Sequence, residues 1–202
     1  MSIKSLPNIL TGIRIFIIPI LILTFYIQGT YANVIASALF TIAAITDYFD
    51  GYFARSMHAQ SNFGKCLDPI ADKLIVIVAI VMLIDFSNQD LWILIPGIII
   101  ICREVLVSGL REFLAELHVK MPVSKLAKYK TGFQMTAIAL LLLGEEGASF
   151  IVYYWIGGLM YIQAKLILVS VIFWIGKILF SVSAILTVIT GYSYLRAGIA
   201  KM

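Results

Sequence analysis

Four aspartates inside a chain that is otherwise oil-like restrict its possible folds more than any other feature. They stand between Thr46 and Lys73, in TDYFDGYFARSMHAQSNFGKCLDPIADK, at Asp47, Asp50, Asp68 and Asp72. The chain around them is 61% hydrophobic and only 13% charged, where a soluble domain carries about 25% charge. An all-α integral membrane protein is implied, and carboxylates at membrane depth require something that neutralises them. On a helix the first pair is spaced i, i+3 and the second i, i+4, so each pair projects from one face. A polar loop at roughly 56–61 is short enough to fold the two helices into an antiparallel hairpin, which predicts that all four acids meet in one pocket.

Oxygen donors with no histidine partner suit hard cations such as Mg²⁺, Mn²⁺ or Ca²⁺ rather than zinc, so Asp47, Asp50, Asp68 and Asp72 are the candidate metal ligands. Gly51, Ala54 and Gly64 leave room beside them for a substrate to approach the backbone, and Arg55 supplies a forked cation suited to phosphate. The bland alternative is that the acids line a channel or pair with lysines.

The run Ile9 to Ile27 is about long enough to span a bilayer and has no small-residue cleavage site, so it is expected to remain as the first helix. After a turn at Gly29-Thr30, a second span is expected from about Ala32 to Arg55. A third runs from Gly64 or Lys65 to about Leu83, with Pro69 tolerated in the first turn or two. A polar turn follows at Asp85 to Asp90, then a fourth span over Leu91 to Leu114 and a fifth over about Ala127 to Leu143. GEEGA reads as a further turn. Phe150 to Gln163 is expected at the outer interface, before a last span from about Phe173 to Leu195.

Basic residues support this count. Lys4, Arg14, Arg55, Lys65, Lys120, Lys125, Lys128, Lys130, Arg196 and Lys201 all fall at the aspartate end, and the opposite turns hold Asp85, Asp90, Glu145 and Glu146. That asymmetry calls for an even number of spans with the aspartate end cytoplasmic. About six spans are expected, in one catalytic domain over residues 1–202 with a polar cavity open to the cytoplasm; an extra hairpin gives eight. The formal charge of +4 then reflects positive-inside residues and anionic lipid, not nucleic acid. Cys66 and Cys102 show no metal spacing and read as buried small hydrophobes. Ser183, Thr187 and Gly191 form a small-residue stripe that packs either on a neighbouring helix or within the monomer.

A second constellation lies at the same end. Arg103 and Arg111 are about 80° apart around one helix, and the lysines of the next loop follow them. Cations near a metal cluster would bind an anionic second substrate that the acids alone repel. Ordinary positive-inside placement is the alternative for most of those lysines.

The pattern Asp47-x2-Asp50-Gly51-x2-Ala54-Arg55-x8-Gly64-x3-Asp68-x3-Asp72 resembles, position for position, the signature of the CDP-alcohol phosphotransferases. Three further stretches resemble those of the family's bacterial phosphatidylglycerophosphate synthases. They are Pro7-Asn8-x2-Thr11-x2-Arg14, Arg103-Glu104-Val105-x-Val107-Ser108-Gly109-Leu110-Arg111-Glu112 and Lys125-Leu126-Ala127-Lys128-x-Lys130-Thr131-x2-Gln134-Met135. The resemblance covers residues 7 to about 143.

It implies transfer of a phosphatidyl group from CDP-diacylglycerol to glycerol 3-phosphate by a multi-pass homodimer in the bacterial inner membrane. Two Mg²⁺ or Mn²⁺ ions are implied on the four aspartates, with Asp72 also the general base. Asn8, Thr11, Gly51, Ala54, Arg55 and Gly64 are implied on the CDP donor, and Arg14, Arg103, Arg111 and Lys128 on the acceptor phosphate. Asn8 as a helix cap and Arg14 as an interfacial arginine remain the alternative. Another acceptor (inositol phosphate, serine or phosphatidylglycerol) would keep the same chemistry. An intramembrane prenyltransferase fits less well, because its acidic motifs lie far apart. A cation transporter leaves Arg55, Arg103 and Arg111 unexplained.

Overall fold

A computed structural model describes residues 6–27, 29–57, 62–87, 90–116, 125–156 and 162–199. Among them the secondary structure is entirely helical: α1 (Leu6–Tyr26), α2 (Thr30–Met57), α3 (Asn62–Phe86), α4 (Leu91–Glu116), α5 (Lys125–Ile156) and α6 (Ile162–Ile199). Four of these helices carry stretches long and apolar enough to cross a membrane: Thr30–Asp47, Leu91–Leu114, Lys128–Tyr154 and Leu166–Arg196. Thr11–Tyr26 of α1 is a shorter apolar stretch. In α3 the first half carries Asp68, Asp72 and Lys73, and the apolar run comes after them. This is the all-α membrane protein expected from composition.

The helices close into a ring. Helix α1 packs on α2 and α3, α3 on α4, α4 on α6, α6 on α5, and α5 back on α2. Inward-facing apolar side chains from all six, among them Leu21, Phe40, Ile80, Ile100, Ile138 and Phe180, form one core. Alanines at 36, 43, 79, 137 and 184 belong to the same core and let the helices approach closely, as van der Waals packing between membrane helices requires. Helices α3 and α4 come close at Gly97 of α4, where a Cβ would lie 2.9 Å from side-chain atoms of both Ile80 and Ile84 of α3. Outside the ring, Phe16, Leu23, Ile42, Ile98 and Ile185 are exposed and present apolar surface to lipid.

The turn at Gly29 appears where expected. Its φ of 129° is open to glycine, and its carbonyl accepts a hydrogen bond from the Ala32 N–H at 3.0 Å. Residues 58–61 of the expected loop between the aspartate helices lie outside the described residues, whereas Ser56 and Met57 still belong to α2. Helix α3 starts at Asn62, slightly before the expected Gly64, so Pro69 sits about two turns in, at the far end of the expected range.

Asp90 caps α4. Its Oδ1 accepts from the Trp92 N–H at 2.9 Å, and its carbonyl accepts from the N–H groups of Ile93 and Leu94. Lys177 of α6 pairs with the other carboxylate oxygen at 2.7 Å. The hydrogen bond from Lys177 is the main reason that the Asp90 carboxyl is held below the usual carboxylate range.

The C-terminal third follows the sequence expectation at GEEGA and departs from it in α6. At GEEGA the helix is interrupted as expected: Gly144 has φ 61° and ψ −178°, a conformation essentially confined to glycine, and helix resumes after it through Ile156. Glu145 and Glu146, just after Gly144, are exposed. Beyond Gly144, Ala148 and Val152 pack on Val169 of α6, which gives this apolar segment a helix to lie against. Helix α6 is correspondingly one element of 38 residues rather than a span beginning at Phe173.

Cys102 also departs from expectation. It is exposed, on the outer side of α4, because lipid accepts a small apolar group as readily as a protein core does. The side chain of Cys66 lies outside the described residues.

Candidate active site

Arg14 joins the first three helices. It lies one turn after Thr11 on α1, both are buried, and the Arg14 side chain is only 1% exposed. Its Nη1 donates to Asp47 Oδ1 of α2 at 3.2 Å and forms an ion pair with Asp72 of α3. The two carboxylates are 39% and 35% exposed, so a buried cation holds two acids that still reach open space. A cleft of about 10 Å³ lies here, lined by Arg14, Asp47, Asp72 and the apolar side chains around them.

The structure thus brings together one member of each aspartate pair. Asp50 stands one turn beyond Asp47 along α2, and Asp68 one turn before Asp72 along α3. The side chains of Asp50 and Asp68 lie outside the described residues, as do those of Asn8, Gly51, Ala54, Arg55 and Gly64. Among the described residues no three acidic, histidine or cysteine side chains form one cluster. Asp47 and Asp72 supply carboxylate oxygen alone, and their two negative charges exceed the single charge of Arg14. That donor chemistry fits a hard divalent cation.

Asp47 also borders a much larger space. A cavity of about 1160 Å³ is lined by residues of α2, α3, α4, α5 and α6, including Asp47, Lys73, Arg103, Glu104, Arg111, Lys128, Lys130 and Tyr194. Five basic side chains against two acidic ones make it a site for an anion. Arg103, Arg111 and Lys128, assigned to an acceptor phosphate by the resemblance, line this one cavity together. Arg14 does not line it. It lies behind Asp47, on the acids.

The cations are held to different degrees. Glu104 takes Lys130, which is buried, as an ion-pair partner and accepts from Arg103 Nη1 at 3.2 Å. Lys73 donates to the Ser108 hydroxyl across the α3–α4 interface. The other face of Arg103 is met by α6: Nη2 donates to Thr190 Oγ1 at 3.1 Å, and the guanidinium lies 5.8 Å from the centre of the Tyr194 ring. Arg111 reaches the same ring at 5.7 Å, so two arginines that leave α4 in different directions converge on one aromatic side chain.

Tyr194, Thr190, Lys73 and Ser108 carry no assignment from the sequence. A usable pattern was present in α6, where Ser183, Thr187, Thr190 and Tyr194 recur at helical spacing and are all buried. Ser183 and Thr187 therefore pack within the chain, which resolves the two readings of that stripe.

The family model for CDP-alcohol phosphatidyltransferase matches residues 4–189. Relatives extend the likeness over nearly the full length. A CDP-diacylglycerol–glycerol-3-phosphate 3-phosphatidyltransferase from Rickettsia felis is 45% identical over 194 residues, 96% of this chain and 95% of its own. The protein of the same name from Rickettsia bellii is 47% identical over 194 residues, again 96% and 95% of the two chains. That from Pseudomonas fluorescens is 42% identical over 149 residues, 72% of this chain and 76% of its own. The matched region takes in Arg14, the aspartate helices and the cationic wall of α4 and α5 as well as most of α6, and the chain belongs to the CDP-alcohol phosphatidyltransferase family of membrane enzymes.

Proposed function

We propose that this enzyme transfers the phosphatidyl group of CDP-diacylglycerol to the 1-hydroxyl of sn-glycerol 3-phosphate, giving phosphatidylglycerophosphate and CMP. The observation that carries this reading is that Asp47 is a wall shared by the acid cleft and the cationic cavity. A donor pyrophosphate on the acids and an acceptor phosphate on the cations would then meet at one place. The names of the relatives support the same pair of substrates. A cation pathway is disfavoured, because five basic side chains line the space such ions would cross.

In the reaction the acceptor oxygen attacks the phosphatidyl phosphorus, the bond from that phosphorus to the CMP oxygen breaks, and CMP leaves with the electron pair. The acceptor hydroxyl proton passes to a carboxylate oxygen of Asp72, the proposed base. Two Mg²⁺ or Mn²⁺ ions on Asp47, Asp50, Asp68 and Asp72 would, when bound, neutralise charge developing on the pyrophosphate oxygens. Arg14 fixes Asp47 and Asp72 relative to one another from behind. Arg103, Arg111 and Lys128 hold the acceptor phosphate and so aim its hydroxyl. Gly51, Ala54, Arg55 and Gly64, with Asn8 and Thr11, are assigned to the donor by the family signature.

The cavity is proposed to face the cytoplasm of a bacterial cell, with the chain in the inner membrane. Arg111, Lys128 and Lys130 line the cavity end, and Arg196 follows two residues after Tyr194, whereas Asp90 begins α4 about 20 Å from Arg103 along the helix. A homodimer is proposed from the resemblance, with light scattering of the purified protein in detergent as its check. The reaction itself is tested by an acceptor screen with radiolabelled CDP-diacylglycerol and Mg²⁺. Glycerol 3-phosphate should be the efficient acceptor. Equal use of serine, inositol phosphate or uncharged glycerol contradicts the assignment of the acceptor.

A further inference from the structure

Three residues of α6 meet Arg103, and one of them, Tyr194, lines the cavity. At Gly191 a Cβ would lie 3.1 Å from Arg103 Cγ, so the absence of a side chain lets the arginine stem cross the helix. Thr190 accepts from Arg103 Nη2 at 3.1 Å while its own hydroxyl donates to the Leu186 carbonyl at 2.8 Å. Its orientation is therefore set by α6. Tyr194, one turn further on, receives both Arg103 and Arg111 near its ring. Two guanidinium groups brought together repel one another, and the ring, which attracts each of them, offsets part of that repulsion. An anion between them would offset far more.

The Tyr194 hydroxyl points to what that anion meets. The residue lines the cavity and is only 6% exposed, and its oxygen is buried with no hydrogen-bond partner among the described residues. Arg103 Nε is buried and unpartnered as well. A buried phenol ordinarily finds a partner. Here two unsatisfied donors and two guanidinium charges lie at one wall, an arrangement suited to a phosphate dianion, which offers several acceptor oxygens.

Building on the proposed reaction, we propose that Tyr194 determines acceptor specificity by donating a hydrogen bond to a phosphate oxygen of a phosphomonoester acceptor, alongside Arg103 and Arg111. The last helix then contributes directly to substrate choice. An uncharged alcohol leaves all three groups unsatisfied, and a free phosphate ion satisfies them without presenting a hydroxyl for attack. Inorganic phosphate should accordingly compete with the acceptor and not with the donor.

The test measures KM for glycerol 3-phosphate and for CDP-diacylglycerol in the full-length wild type, Tyr194→Phe and Tyr194→Leu, each with and without inorganic phosphate. Tyr194→Phe keeps the ring and removes the hydroxyl. It should raise the acceptor KM about tenfold or more and leave the donor KM within about twofold. Tyr194→Leu, which also frees the two arginines, should raise the acceptor KM further. Competitive inhibition by phosphate against the acceptor should weaken in both variants. An acceptor KM in Tyr194→Phe within about twofold of wild type, or a rise shared equally by the donor, overturns the inference. Should Tyr194→Leu fail to fold, Tyr194→Phe decides alone. A wild type that does not turn over glycerol 3-phosphate contradicts the proposed reaction and the inference together, and is distinguished because it is seen before any substitution is made.

Discussion

The two halves of the site handle buried charge in opposite ways. Around α1 to α3, Arg14 is buried between Asp47 and Asp72, and the cleft beside them is only about 10 Å³. Around α4 to α6, the cations line about 1160 Å³, and Tyr194 Oη and Arg103 Nε have no hydrogen-bond partner among the described residues. The first half is held in position by its own charges. The second is proposed to be completed by an anion. On the proposed reaction this difference separates a region that sets the geometry of reaction from one that recognises a substrate, and substitutions in the two regions should then have different kinetic signatures.

The largest effect is expected at Asp72. Asp72→Asn preserves volume and removes both the carboxylate charge and the proposed base, so turnover should fall by at least about 100-fold with the helical fold intact. Turnover measured beside circular dichroism checks it, and a folded variant with near-normal kcat contradicts the placement of chemistry at this cleft.

Arg111→Gln tests the other side. Loss of a charge-assisted contact is worth about 1.5–3 kcal/mol, so the acceptor KM should rise roughly 10- to 150-fold with the donor KM unchanged. Arg14→Gln should behave differently from both. Without its buried cation the pair Asp47 and Asp72 repel, and the thermal midpoint should fall in the absence of divalent metal. Added Mg²⁺ should then raise Tm by more in the variant than in the wild type. Equal shifts in the two proteins would show that Arg14 does not balance the acids.

Smaller effects lie outside the site. Gly144→Ala places a side chain at φ 61°, ψ −178°, and should destabilise the protein by about 1–3 kcal/mol with neither KM changed. Lys177→Met removes the partner of a partly exposed Asp90 and should cost no more than about 1 kcal/mol. Because the folded pKa of Asp90 is depressed, its contribution is present above the unfolded value and is lost as pH falls through the folded one. Wild type and Lys177→Met should therefore differ in denaturation midpoint at neutral pH and converge in acid below the ordinary carboxylate range.

The acid half was the more legible from sequence, because its meaning lay in local spacing. Asp47 and Asp72 project from helices adjacent in the chain, and burial of their charge leaves few partners other than a cation. The cationic half depends on helices far apart in sequence. Arg103 and Tyr194 meet only because α4 packs on α6, and Gly191 looks like any small residue until the arginine crossing it is seen. Arg14 shows the same limit. Its conspicuous charge marked it as functional, but only the packing of α1 on α2 and α3 shows it on the acids and not in the cavity. The break at Gly144 was legible from the polar GEEGA segment, whereas the packing of the helix after it depends on Ala148 and Val152 finding Val169 of α6, which sequence spacing does not show.

On the proposed reaction one wall, at Asp47, divides a catalytic acid cleft from an acceptor-binding cavity. The most direct test of that division is the pair of KM values, for CDP-diacylglycerol and for glycerol 3-phosphate, measured in Arg111→Gln at saturating Mg²⁺ over a full matrix of both substrates. The account predicts an acceptor KM raised roughly 10-fold or more against a donor KM within about twofold of wild type. A donor KM raised as much as the acceptor KM would contradict it, because the cationic cavity would then be holding the donor.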